Sequence, residues 1–122
     1  MEITVNEELQ LFHLAFDEWK PAFGHGIKVG EHQFCAIPLS KSINISEATS
    51  GMKVFDIELD EMVLALTETK EETVNYFEGV GQRLGRIIKS EVNKFEEQLS
   101  EARTEAIGRL GEMPLIEKVN ID

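Results

Sequence analysis

From Lys70 to Gly108 the sequence runs without a proline, with apolar residues at helical spacing. Thr69 and Glu72 have capping-box spacing at its start, and the next proline is Pro114. One straight helix over this stretch would measure about 58 Å, against a diameter of about 35 Å for a compact chain of this length. The stretch therefore either bends or projects. A bend is expected near Gly79, Gly81 and Gly85, each costing about 1 kcal/mol relative to alanine in a helix. A projection has to pack on another chain. Gly81, Gly85, Ile88, Val92, Phe95, Leu99, Ala102 and Ala106 form one stripe at intervals of three and four. Burial of its large members is worth about 1.5 to 3 kcal/mol per side chain. Gly81, Gly85, Ile88, Val92, Phe95 and Leu99 are accordingly the expected self-association seam of a homodimer, with the chain's own sheet as the competing cover.

The rest of the chain reads mainly as strand. Ile27-Lys28-Val29 and His32-Gln33-Phe34 flank Gly30-Glu31, and glycine at the first of two loop positions suits a type II′ hairpin turn. That register puts Ile27, Val29, His32, Phe34 and Ala36 on one face and Lys28, Gln33, Cys35, Ile37 and Leu39 on the other. Pro38 marks an edge or a strand end. Ser42–Ser46 and Lys53–Leu59 alternate, the second with Phe55, Ile57 and Leu59 inward and Val54, Asp56 and Glu58 outward. Met62–Leu66 reads best as strand, continuing the last one past a bulge near Asp60-Glu61 or forming another, with the start of a helix as the alternative. Before the hairpin, Leu9, Phe12, Phe16 and Trp19 fit a helix that Pro21 ends, with Thr4 or Asn6 as its cap. The expected fold is α+β and one domain over residues 1–122. An antiparallel sheet of about four strands over 27–66 is covered by the N-terminal helix and by a glycine-interrupted helical region over 70–108. Residues 112–122 form an edge strand or tail.

Composition narrows the function classes. Acidic residues number 23 against 12 basic ones, for a net charge of −11, a field that repels nucleic acid and anionic lipid. Direct nucleic-acid binding is not expected. No apolar run approaches the roughly 20 residues of a membrane span, no export signal opens the chain, and one cysteine allows no internal disulfide, so the expectation is a cytoplasmic protein without a membrane association. The imbalance is local. Between Asp56 and Glu78 eight acids face Lys70 alone, whereas seven basic residues balance seven acids from Gly79 to Lys118.

Three groups of residues could carry chemistry. Gly79–Arg86 resembles a phosphate-wrapping turn, but its G-x-G-x-x-x-G spacing departs from the dinucleotide pattern, and the residues before it read as helix. Close helix packing explains the same glycines. His25, His32 and Cys35, with His13 as a distant fourth, are conceivable zinc ligands or a thiol with its base, but strand positions 32 and 35 point to opposite faces. No metal, cofactor or catalytic residue is expected. Asp56, Glu58 and Asp60 alternate about 7 Å apart on one strand face, and with Glu61, Glu68, Glu71 and Glu72 they make either a solvated face or a strip that binds a basic partner. The expectation is a non-enzymatic, acidic protein-interaction module that self-associates. The alternatives are an acidic inhibitor occupying a basic, nucleic-acid-binding groove on a target protein, and a small-ligand or nucleotide binder at Gly79–Arg86.

Overall fold

Gly30 takes a φ of 61° and no residue other than glycine takes a positive φ among those described, so only the first loop position is left-handed and the turn is type II′. It sets Val29 opposite His32 and Ile27 opposite Phe34. The computed structural model describes residues 1–119. From this hairpin, β3 (Trp19–Val29) and β4 (His32–Pro38), the chain continues antiparallel through β5 (Ser42–Glu47) to β6 (Lys53–Glu58). Ile27, Val29, Phe34, Ala36, Ile43 and Ile45 share one buried face, and Cys35 and Ile37 lie on the other, as the register requires. The fold is α+β, with an antiparallel sheet and helices on one of its faces.

Residues 9–19 form no helix. They contribute β2 (Gln10–Ala15) and the start of β3, paired Leu11 with Phe23, His13 with Pro21 and Ala15 with Trp19 around a turn at Phe16–Glu18. The apolar spacing there satisfies the helical period, but Phe12 and Leu14 also alternate, and both are buried. Pairing of β2 with neighbours on both sides decides between the two patterns. Asn6 caps nothing helical: its Oδ1 accepts from the Glu8 amide in a local turn. Among the described residues the sheet therefore has seven strands rather than four, in the order β6-β5-β4-β3-β2-β7 with β7 at Glu117–Lys118, and with β1 (Ile3–Val5) beside the far half of β3. The tail supplies β7 (Glu117–Lys118), an edge strand on β2; residues 120–122 of the expected tail lie outside the described residues.

One half of β3 pairs with β2 over Trp19–Gly24, and the other half pairs with β4 over His25–Val29 and with β1 over Ile27–Val29. The changeover falls at Gly24, where a Cβ would stand 2.2 Å from the Ala36 carbonyl oxygen. Glycine at a strand bend removes that clash. The β2 hairpin folds back so that Phe12 and Leu14 pack on Cys35, Ile37 and Ala48, and the Ala15 amide donates to the Gly51 carbonyl in the β5–β6 turn.

The helices cover the opposite face. Met62–Leu66 is not a strand: α1 (Glu61–Ala65) begins at Asp60, whose side chain accepts from the Val63 amide at 2.9 Å. An apolar run with no clear period takes its identity from that cap. α2 (Lys70–Ser90) is capped by Thr69, which accepts from the Glu72 amide, and α3 (Val92–Leu110) follows it. The break is at Glu91, with φ −148° and ψ 66°, and not near Gly79, Gly81 or Gly85. The two helices span about 31 and 28 Å, each within the diameter of a chain this size. None among the described residues is long and apolar enough to cross a membrane.

The glycines of α2 mark its approach to the sheet. A Cβ at Gly81 would meet Ile3 Cγ2 at 2.5 Å, whereas at Gly85 the nearest atom is Val29 Cγ1 at 3.7 Å, and at Gly79 nothing lies within 4 Å. Opposite signs follow. Gly81→Ala should lower stability by about 1 to 2 kcal/mol, overpacking outweighing the helix-propensity gain, while Gly85→Ala and Gly79→Ala should each raise it by about 0.5 to 1 kcal/mol. Urea unfolding of the three variants measures all three; a stabilising Gly81→Ala would show that Ile3 yields freely.

Candidate partner-binding groove

Among the described residues β6 is the outermost strand, paired only with β5. The Leu59 amide donates to the Lys41 carbonyl at 3.1 Å. Antiparallel ladders alternate, so Ile57 and Phe55 direct their backbone groups toward β5, and Asp56 and Glu58 direct theirs away from the sheet. The Glu58 carbonyl is then used by the Asp60 amide at 3.0 Å, which turns the chain into α1.

Side chains alternate in the other direction. Phe55 and Ile57 face the helices and pack on the main core, whereas Asp56 and Glu58 are exposed on the opposite face. Between β6, α1 and α2 lies a groove of about 770 Å³, walled by Ile57, Val63, Leu66 and Val80 and rimmed by Asp56, Glu58, Asp60 and Glu72. Arg83 and Arg86 enter from α2, the Arg83 guanidinium lying 3.9 Å over the Phe55 ring. Tyr76 also lines the groove; burial, then the charge of Asp60, pushes its phenol above the usual range, with Arg83 opposing. It stands there as a neutral donor. Lys53 pairs with Asp56 at 2.8 Å, an exposed contact that neutralises little of the strip. Beside the groove, α1 buries only Val63, leaving Met62 and Leu64 72% and 53% exposed.

Four of the acidic candidates, Asp56, Glu58, Asp60 and Glu72, line the groove, Asp56 and Glu58 along its β6 edge with their side chains on the far face of the strand. Glu61, Glu68 and Glu71 are exposed outside the groove wall, and Glu61, Glu71 and Glu72 also occupy first helical turns, where the helix dipole favours acids. Of the expected self-association seam, Gly81, Gly85, Ile88, Phe95 and Leu99 are buried in the chain's own core. Val92 alone of the six is on the surface, 49% exposed. Gly79–Arg86 lies inside α2, so its amides serve the helix and do not form a phosphate-wrapping turn.

The histidines and the cysteine are dispersed among other partners. His25 Nδ1 meets the Asn6 carbonyl at 3.0 Å and its ring lies by Phe77, while His32 Nε2 meets Glu96 at 2.8 Å and its ring stands edge-on to Phe95. His13 is buried on β2 with its Nδ1 unpartnered among the described residues. Cys35 lies between the ladders. Among the described residues no group of three His, Cys, Asp or Glu is placed to hold a metal ion.

What sequence reasoning missed is the open edge beside the acids. Alternation in Lys53–Leu59 marks Asp56 and Glu58 as outward, but only the strand order makes β6 terminal. No protein-family model, no curated protein and no solved structure matches this chain.

Proposed function

We propose that this chain is an acidic protein-interaction module that docks a basic partner in the groove between β6, α1 and α2. The observation that carries the reading is a groove walled by Ile57, Val63, Leu66 and Val80, with Asp60 and Glu72 on its rim, Asp56 and Glu58 on the far face of its β6 edge, and exposed Met62 and Leu64 on α1. An apolar centre within a charged rim is the anatomy of a recognition surface, and acids on the rim select a partner of opposite charge and speed its encounter. Inhibition of a basic, nucleic-acid-binding target is one use of such a surface.

Charge reversal tests it. Immobilised wild-type protein should retain a basic partner from its native host at low salt and release it as ionic strength rises toward physiological values, since exposed charges are screened beyond about 8 to 10 Å. The triple variant Asp56→Lys, Glu58→Lys, Asp60→Lys should bind about tenfold or more weakly, because each reversal turns an attraction into a repulsion. Undiminished retention by the triple variant would reject the acidic groove as the docking site. Self-association through the helical face rests now on Val92 alone among the seam residues at the surface, and light scattering coupled to size exclusion reads the mass directly.

A further inference from the structure

We infer that the occupant of this groove is an extended segment that adds to β6 as a further strand, with basic side chains alternating with apolar ones. The inference rests on the interaction-module reading and gives it a partner chemistry. β6 has a neighbour on one side only, and on the other the Asp56 amide and carbonyl and the Glu58 amide point outward by the alternation of the ladder. An added strand would lie about 4.8 Å from β6, in the groove that runs along Asp56, Ile57 and Glu58. It would continue the pleat of the sheet. Every second side chain would point with Ile57 toward Val80 and Tyr76, and those between would point with Asp56 and Glu58 to the opposite face. The first set meets Ile57, Val63 and Val80 with Arg83 and Arg86 beside them, which suits apolar side chains and disfavours cationic ones, and the second meets two carboxylates at cross-strand distance, where opposite charges stabilise. This is recognition by strand addition, in which main-chain hydrogen bonds supply affinity and alternate side chains supply selectivity.

The same carboxylates argue against a second copy of the chain on this edge. Pairing β6 with β6 would bring Asp56 and Glu58 opposite or diagonal to their own duplicates, and like charges so placed repel. The edge excludes itself and accepts Lys or Arg.

The test uses the full chain, labelled with ¹⁵N, and a blocked octapeptide of alternating lysine and valine. Four comparison peptides accompany it: alternating glutamate and valine; two forms of the lysine–valine peptide N-methylated at alternate residues, one in each setting; and a helical amphipathic peptide of lysine and leucine. Strand addition predicts that the lysine–valine peptide binds and slows hydrogen exchange at the Asp56 and Glu58 amides. The glutamate peptide should not bind, and one setting of N-methylation should weaken binding about tenfold or more while the other does not. Asp56→Lys with Glu58→Lys should weaken binding by a similar factor, with far-UV circular dichroism showing the variant folded. Binding indifferent to N-methylation in both settings, preference for the helical peptide, or no binding of the lysine–valine peptide at millimolar concentration would each overturn strand addition. The broader reading falls separately, if the triple charge-reversal variant keeps its basic partner. A wild-type dimer with the Asp56 and Glu58 amides protected in the absence of peptide would make a second copy the occupant and would also overturn the inference.

Discussion

Replacing Glu47 with alanine should lower the stability of the fold by about 3 to 5 kcal/mol, measured by urea unfolding, the range seen when one partner of a buried charged network is removed. Glu47 ends β5 on the helix-facing side, opposite Phe34, and is 1% exposed. Its carboxylate accepts from the Ser50 amide at 2.8 Å, the Thr49 amide at 3.0 Å and the Thr49 hydroxyl at 2.7 Å. Alanine would leave these donors without an acceptor and open a cavity beneath α3. The turn they hold matters beyond itself, because the Gly51 carbonyl receives the Ala15 amide and so fastens the folded-back β2 hairpin. Arg103 reaches down from α3, donating to the Thr49 hydroxyl at 2.7 Å with its Nη2 3.8 Å from the carboxylate. Arg103 is nearly half exposed, so Arg103→Ala should cost about 1 kcal/mol or less. Glu47→Gln keeps the shape but turns one acceptor into a donor and should fall between the two. A loss below about 1 kcal/mol in Glu47→Ala would show that water, not this side chain, satisfies the turn amides.

The elements legible in the sequence are those whose local signals and tertiary partners agree. Gly30 serves the turn between Val29 and His32 in one hairpin register, and that register alone assigns Phe34 and Cys35 to opposite faces. Thr69 with Glu72 marked the start of α2 correctly because the cap is local, a hydroxyl and an amide three residues apart. Residues 9–19 failed for the opposite reason: Leu9, Phe12, Phe16 and Trp19 satisfy one period and Phe12 and Leu14 another, and the choice belongs to strands remote in sequence. Glu91 is neither glycine nor proline, yet it breaks the helix. Ile88 before it and Phe95 after it both enter the core cluster over the sheet, and one straight helix of that length would overrun the sheet.

The candidate groove shows the same division. Its acids were visible as a charge run, and the period of two placed Asp56 and Glu58 on an exposed face. Its walls were not visible, because α1 was read as a strand, and its opening was not, because the terminal position of β6 depends on the whole strand order. Of the glycines of α2, Gly81 and Gly85 lie against Ile3 and Val29 on the chain's own sheet, and Gly79 packs on nothing.

Cys35 should resist thiol reagents in the folded protein and react at the normal rate once the chain is unfolded. It is 1% exposed between the two ladders, and burial, with a smaller contribution from the charge of Glu47, pushes its thiol from 9.0 up to about 12, against a lowering by a backbone hydrogen bond at Ser46. The thiolate is the reactive form. At pH 8 about one unfolded chain in ten carries it, against about one folded chain in ten thousand, so protonation alone should slow the native reaction roughly a thousandfold, before access is counted. Labelling with a chromogenic disulfide reagent, with and without urea, reads the ratio directly; native labelling within tenfold of the unfolded rate would make Cys35 an accessible, activated thiol. The same shift gives a pH dependence. Because the folded-state value lies above the unfolded one, the contribution is fully present below pH 9 and is lost as pH rises from 9 toward 12, where the unfolded chain releases a proton that the folded chain still holds. The loss amounts to about 4 kcal/mol over that window. Cys35→Ala removes the group at a smaller, pH-independent cost, so its stability should fall less steeply than that of the wild type above pH 9. Parallel alkaline limbs for the two proteins would show that the folded thiol ionises as readily as the unfolded one.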